Sequence, residues 1–94
     1  MTELDFPFHD AVLSDDEVIR TFSSEVDESE LKWHQDNERR IIQIIENGGW
    51  KIQFENEIPH SFSLGESFDI PKLKWHRVIK GNRRLVVRIK KIKD

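Results

Sequence analysis

Arg40-Ile41-Ile42-Gln43-Ile44-Ile45-Glu46-Asn47-Gly48-Gly49-Trp50-Lys51-Ile52-Gln53-Phe54-Glu55 decides the fold class of this chain. Its first half is a run of isoleucine broken by Gln43, and it stops at Asn47-Gly48-Gly49. Ile41, Ile42 and Ile45 can share one stripe of a helix over 36–45. The crowding of β-branched side chains and the Gly-Gly stop favour a strand instead. Asn and Gly accept the positive φ that tight turns need, so the tripeptide predicts a hairpin. After it, Trp50, Ile52 and Phe54 alternate with Lys51, Gln53 and Glu55, the period of a half-buried strand.

The same grammar extends outward in both directions. Toward the N-terminus, residues 31–34 and 18–23 read as short strands, while Pro7 and Ser14-Asp15-Asp16 make 1–17 an irregular segment packed on the domain formed by 18–94. Toward the C-terminus, 60–64 and 67–70 flank Gly65, and 71–74 is a loop. Strands at 75–79 and 83–92 are joined by Lys80-Gly81-Asn82. About eight short strands with turns every 8–12 residues predict an all-β barrel or sandwich.

Ninety-four residues make one domain. No stretch reaches the length of an apolar membrane span, and the acidic N-terminus does not serve as a signal peptide. Cysteine is absent, which excludes disulfides and thiolate metal sites. A cytoplasmic protein without a membrane partner is the expectation. Residues 1–30 carry ten acidic groups against Arg20 alone, whereas from Lys80 onward there are seven basic groups against Asp94. That basic stretch alternates with Leu85, Val87 and Ile89, so it is expected to form the solvated face of a last strand facing the acidic N-terminal region. A nucleic-acid partner is not expected.

Two histidines stand in matching contexts, Lys32-Trp33-His34 and Lys74-Trp75-His76. On a strand His34 and Asp36 point to the same side and can address one ion, with His76 arriving from a distant strand. Two imidazoles and one carboxylate on one face, with open positions beside them, form the ligand set of non-haem Fe(II) sites. His34, Asp36 and His76 are therefore the candidate metal ligands. The expected cofactor is a divalent cation, Fe(II) first, with Zn, Mn or Ni as alternatives. Trp33 and Trp75, opposite in parity to the adjacent His, are expected to pack in the core.

Gly65, five residues, Pro71, four residues and His76 resemble the second motif of cupins, in which a Gly turn and a Pro-containing loop deliver a metal-binding His. The resemblance runs from Glu30 to Ile92, about two-thirds of the chain, and also takes in Gly48-Gly49, Pro59 and the strand after Gly81. It implies a cupin-like jelly-roll barrel with the metal near one mouth. The departures are specific. Asp36 stands where cupins place a second His, Arg40 and Ile41 stand where they place a Glu, and Leu73 stands where Gly usually follows the Pro.

The reading that results is a small metal-binding cupin that acts on or binds a small polar molecule, with dioxygenase-type or sugar-modifying chemistry as the enzymatic forms. Gln43 and Gln53, among apolar strand residues, are candidates for holding the ligand or supporting the metal site. One alternative is a 2-oxoglutarate-dependent oxygenase, for which Arg88, twelve residues past His76, would hold the co-substrate carboxylate. The other is a non-catalytic ligand-binding or structural module. His9 and His60 are expected to stand outside the site. With three Trp and edge strands to cover, a homodimer is expected.

Overall fold

The computed structural model describes residues 7–93. Eight strands follow in chain order: β1 (His9–Val12), β2 (Glu17–Phe22), β3 (Arg39–Glu46), β4 (Lys51–Phe54), β5 (His60–Ser61), β6 (Ser67–Ile70), β7 (His76–Ile79) and β8 (Leu85–Ile92). A single 3-10 turn, Glu28–Glu30, lies between β2 and β3. All the strand pairs are antiparallel, in a five-stranded sheet ordered β1-β2-β8-β3-β6 and a three-stranded sheet ordered β5-β4-β7. The two sheets close on a shared core, so the architecture is the all-β jelly roll that the sequence predicts.

Strand alternation builds that core. On β8 Leu85, Val87 and Ile89 are buried while Arg88 and Lys90 are exposed. The register sets Val18 opposite Ile89 and Phe22 opposite Leu85, and on the other flank Ile42 opposite Ile89 and Ile44 opposite Val87. One apolar wall therefore runs across three strands. A bulge between Ile44 and Glu46 shifts the register, and Ile45, on the outward parity it shares with Gln43, is exposed within the isoleucine run. Trp50 is the core tryptophan, 1% exposed, and its indole N–H donates to the Arg83 carbonyl at 2.6 Å.

Three expectations are corrected. The Asn47-Gly48-Gly49 turn exists, with Gly48 at φ 53° and Gly49 at φ 81° and the Trp50 amide donating to the Asn47 carbonyl at 2.8 Å. It does not make a hairpin, because β3 pairs with β6 and β8 whereas β4 pairs with β5 and β7. The turn carries the chain from one sheet to the other. It is pinned there by the amides of Asn82 and Arg83, which both donate to the Gly48 carbonyl at 3.1 Å. Residues 31–34 are not a strand; only His34 forms an isolated bridge, with His76. Within the segment expected to be irregular, residues 1–6 lie outside the described residues, but His9–Val12 form β1. Arg20 on β2 anchors this strand with a two-pronged ion pair to Asp10 at 2.8 and 2.9 Å.

Candidate metal centre

The His34–His76 bridge is a reciprocal pair of backbone hydrogen bonds, each 2.9 Å, between the segment entering β3 and the start of β7. It brings together two tripeptides of identical sequence. In each, the His Nδ1 lies near the carbonyl of the Lys two residues before it, at 3.0 Å for His34 and 2.7 Å for His76. A carbonyl only accepts, so each Nδ1 carries the proton and each Nε2 is left with a free lone pair. This is the arrangement that fixes metal-ligating imidazoles. Both Nε2 atoms face Asp36, with His76 Nε2 3.4 Å from Oδ2 and His34 Nε2 4.0 Å from Oδ1.

Whether a cation fits can be judged from these distances and from hydrogen bonding. The ligand atoms of the three side chains all lie within 4.8 Å of one another. Two ligands roughly 2.1 Å from one ion stand about 3.0 Å apart at a right angle and about 3.4 Å apart at a tetrahedral angle. The His76–Asp36 spacing of 3.4 Å sits in that range, and the His34–Asp36 spacing of 4.0 Å closes to it with a shift of a few tenths of an ångström in each side chain. Asp36 Oδ2 is buried and has no hydrogen-bond partner. The lone pairs of this carboxylate and of two imidazoles face one another, and the unpartnered Oδ2 among them is the electrostatic need that a cation meets. The donor set fits.

The Pro71–Lys74 loop delivers His76 and also braces Asp36. The Leu73 amide donates to the Asp36 carbonyl at 2.9 Å, and Gln35 Nε2 donates to the Leu73 carbonyl at 3.0 Å. Leu73 itself sits at φ 61°, a left-handed conformation at the position where the cupin motif has Gly. A non-glycine residue pays about 1–2 kcal/mol there, against about 0.5–1 kcal/mol of extra chain entropy lost on fixing glycine. Leu73 is half exposed, so little burial is at stake. Leu73→Gly is accordingly expected to stabilise the protein by about 0.5–1 kcal/mol, measured by urea unfolding; a lower midpoint would show that the leucine side chain matters more than its backbone strain.

Burial pushes the His76 imidazole below its ordinary pKa. The Lys74 carbonyl opposes this, His34 adds to it, Asp36 opposes it and Arg40 adds to it. His76, 3% exposed, is therefore neutral and ready to ligate at neutral pH. The unfolded chain takes up a proton near pH 6.5, before the folded chain does. Stability is thus fully present above about pH 6.5 and falls as pH drops toward the lowered folded value. Thermal unfolding of metal-free protein between pH 7.5 and 5 is expected to show this loss, and His76→Gln to flatten it. An equal slope in both would assign the loss to other groups.

The centre lies at a cavity of about 400 Å³ between the sheets, lined mostly by the apolar core. Arg20 and Arg40 also line it, and these the sequence reading missed. Each occupies the inward-facing parity of its strand, Arg20 between Val18 and Phe22, Arg40 two before Ile42. That placement was the available signal. Arg40 Nε donates to Glu38 at 2.8 Å and its Nη1 lies 3.5 Å from Asp36 Oδ1. A cation thus stands where the cupin motif has an acidic ligand.

The remaining candidates stand elsewhere. Gln43 is exposed on the outer face of β3, opposite Arg88. Gln53 is bound on the outside, its amide oxygen accepting from Arg77 at 3.0 and 2.9 Å. Arg88 is exposed and pairs with Glu17 at 3.2 Å. None of the three lines the cavity. His9 and His60 are exposed, His60 paired with Glu66 at 2.8 Å. Trp33 and Trp75, expected in the core, are 40% and 44% exposed. Turning both His toward Asp36 at the bridge, His76 buried and His34 half exposed, turns the preceding Trp outward, and the Arg77 guanidinium lies 4.8 Å over the Trp33 ring.

No family model and no curated sequence matches the chain. Solved structures do. The structure of KdgF from Halomonas sp. aligns with a TM-score of 0.69 at 15% identity, over 99% of this chain and 87% of that one. An RmlC-like cupin family protein with a double-stranded β-helix fold, from Methanocaldococcus jannaschii, aligns at 0.65 and 15% identity over 97% and 85%. The DMSP lyase DddQ from Ruegeria pomeroyi DSS-3 aligns at 0.69 and 16% identity over 94% of this chain. This chain spans 48% of DddQ, and 37% of the chain matched in a further DMSP lyase structure. At these identities the likeness is one of fold.

Proposed function

We propose that this chain, which has the fold of the small cupins, holds one divalent cation between His34 Nε2, Asp36 and His76 Nε2 and presents it to a small molecule in the barrel cavity. The observation that carries this reading is the buried, unpartnered Asp36 Oδ2 facing two imidazole nitrogens whose protons are committed elsewhere. Two imidazoles and one carboxylate suit Fe(II) first, and Zn, Mn or Ni also take such donors. A cation held by three protein ligands supplies Lewis-acid polarisation of a coordinated ligand oxygen at its open positions. The protein contributes the rest: His76 is held neutral by burial, and the Lys32 and Lys74 carbonyls fix both imidazoles. A dioxygenase-type enzyme and a non-catalytic binding module both fit these parts. The 2-oxoglutarate reading loses its support, because Arg88 stands outside the barrel.

Protein loaded anaerobically with Fe(II) and desalted is expected to retain close to one ion per chain by elemental mass spectrometry. His34→Ala and His76→Ala are each expected to fall to background while keeping a β-type circular dichroism spectrum. Unchanged metal content in both variants would sink the reading.

A further inference from the structure

The cavity wall states what kind of molecule it accepts. Ile52, Phe62, Phe68, Val78 and Val87 supply its two faces from both sheets. Its polar residues are all charged or histidine; among the described residues no Ser, Thr, Asn, Gln or Tyr side chain lines it. Ligand hydroxyls set along the apolar walls, beyond reach of those charged groups and histidines, would lose water without gaining a partner. A sugar or other polyol is therefore a poor occupant, and a hydrocarbon body a good one.

The charges give the sign of the head group. Arg20, Lys32 and Arg40 line the cavity against Glu30 and Asp36, and Asp10 and Glu38 pair with the two Arg, so before any cation is bound these groups carry one negative charge in excess. A divalent ion on the triad turns that balance to one positive charge. Arg20 is held inward, its guanidinium 3.7 Å over the Phe8 ring, with Nε and Nη2 spent on Asp10 and Nη1 outside that fork. An anion is what these groups favour. The size follows from the volume: about 400 Å³ holds roughly a dozen non-hydrogen atoms at about 30 Å³ each, the share of a water molecule in the liquid.

We infer that the cavity binds a carboxylate with an unsubstituted alkyl or aryl-alkyl body, its head at the His34–Asp36–His76 centre and its body between the sheets. The position of the head rests on the metal reading above; the body rests on the apolar wall alone.

Isothermal titration of Zn(II)-loaded protein, with the zinc content measured on the same sample, tests this. Octanoate or 4-phenylbutyrate is expected to bind about tenfold or more tighter than gluconate, which carries the same head on a hydroxylated chain, and than 1-octanol, which carries the same tail without charge. From butyrate through hexanoate to octanoate, affinity is expected to rise about fourfold per added CH2. Gluconate matching octanoate, or a flat chain-length series, would overturn the assigned body. Octanol matching octanoate would overturn the head. If zinc is not retained, the metal reading fails by itself, and the octanoate–gluconate contrast on that same protein still decides the body. Val78→Phe, which shortens the cavity, is expected to weaken octanoate about tenfold and butyrate less than about twofold. Equal losses from a variant that retains zinc would remove the body from this space.

Discussion

Asp36→Asn is expected to leave the metal-free protein within about 1 kcal/mol of the wild type while weakening divalent cation binding by at least ~100-fold. The two halves of this result come from the same atom. Without a cation, Asp36 Oδ2 is a buried acceptor with no partner, so replacing it removes a liability. An amide NH2 at that point faces His76 Nε2, 3.4 Å away, whose lone pair can accept from it. The weakened attraction to Arg40, 3.5 Å from Oδ1, offsets part of the gain. With a cation the balance reverses, because the only carboxylate of the triad is gone. At a free ion concentration of 100 Kd the wild type gains about 2.7 kcal/mol from binding, which for a domain of this size moves Tm upward by roughly 10–20 °C. Calorimetry with and without the ion should therefore show a large shift in the wild type and almost none in Asp36→Asn. A variant that loses as much stability without metal as with it would make Asp36 a structural residue.

Gly48→Ala carries the largest expected loss of stability. A Cβ at Gly48 would lie 2.2 Å from the Arg84 carbonyl oxygen and 2.5 Å from that of Arg83, and neither backbone atom can swing aside. The conformation adds to this, since φ is 53°. Overpacking of about 1–3 kcal/mol and a left-handed alanine at about 1–2 kcal/mol together give about 2–5 kcal/mol. That is a large fraction of the roughly 5–15 kcal/mol typical of a whole domain. Gly65→Ala is the control: φ is 80°, but nothing lies within 4 Å of the added Cβ, so only the conformational part of about 1–2 kcal/mol applies. Urea unfolding of the two variants side by side separates crowding from conformation. Equal midpoints would show that the contact between the 47–49 turn and the 81–84 segment gives way easily.

The contrast between those glycines marks what could be read from the chain. The turn at Asn47-Gly48-Gly49 was legible, because positive φ is a property of one residue. Its use as a bridge between sheets was not, because that depends on which edges β3 and β4 find, and those partners lie far along the chain. The resemblance around Gly65 and Pro71 pointed to His76, the one-residue spacing pointed to His34 and Asp36, and the structure brings the three together. Gln43 and Gln53 stand among apolar neighbours, but their alternation with those neighbours sends them outward. Arg20 and Arg40 show the same parity from the other side, as charges on the apolar face of their strands.

The sequence by itself determined the all-β class, the positive-φ turn at Asn47-Gly48-Gly49 and the inward facing of Leu85, Val87 and Ile89 along β8. These are short-range matters of pleat, turn and sterics. Only the tertiary structure decided that the two Lys-Trp-His tripeptides meet at one bridge, that their Trp therefore face outward, and that Asp36 keeps a buried oxygen without a partner. Those outcomes depend on which distant backbone groups satisfy one another as the sheets close, and no local pattern encodes that choice.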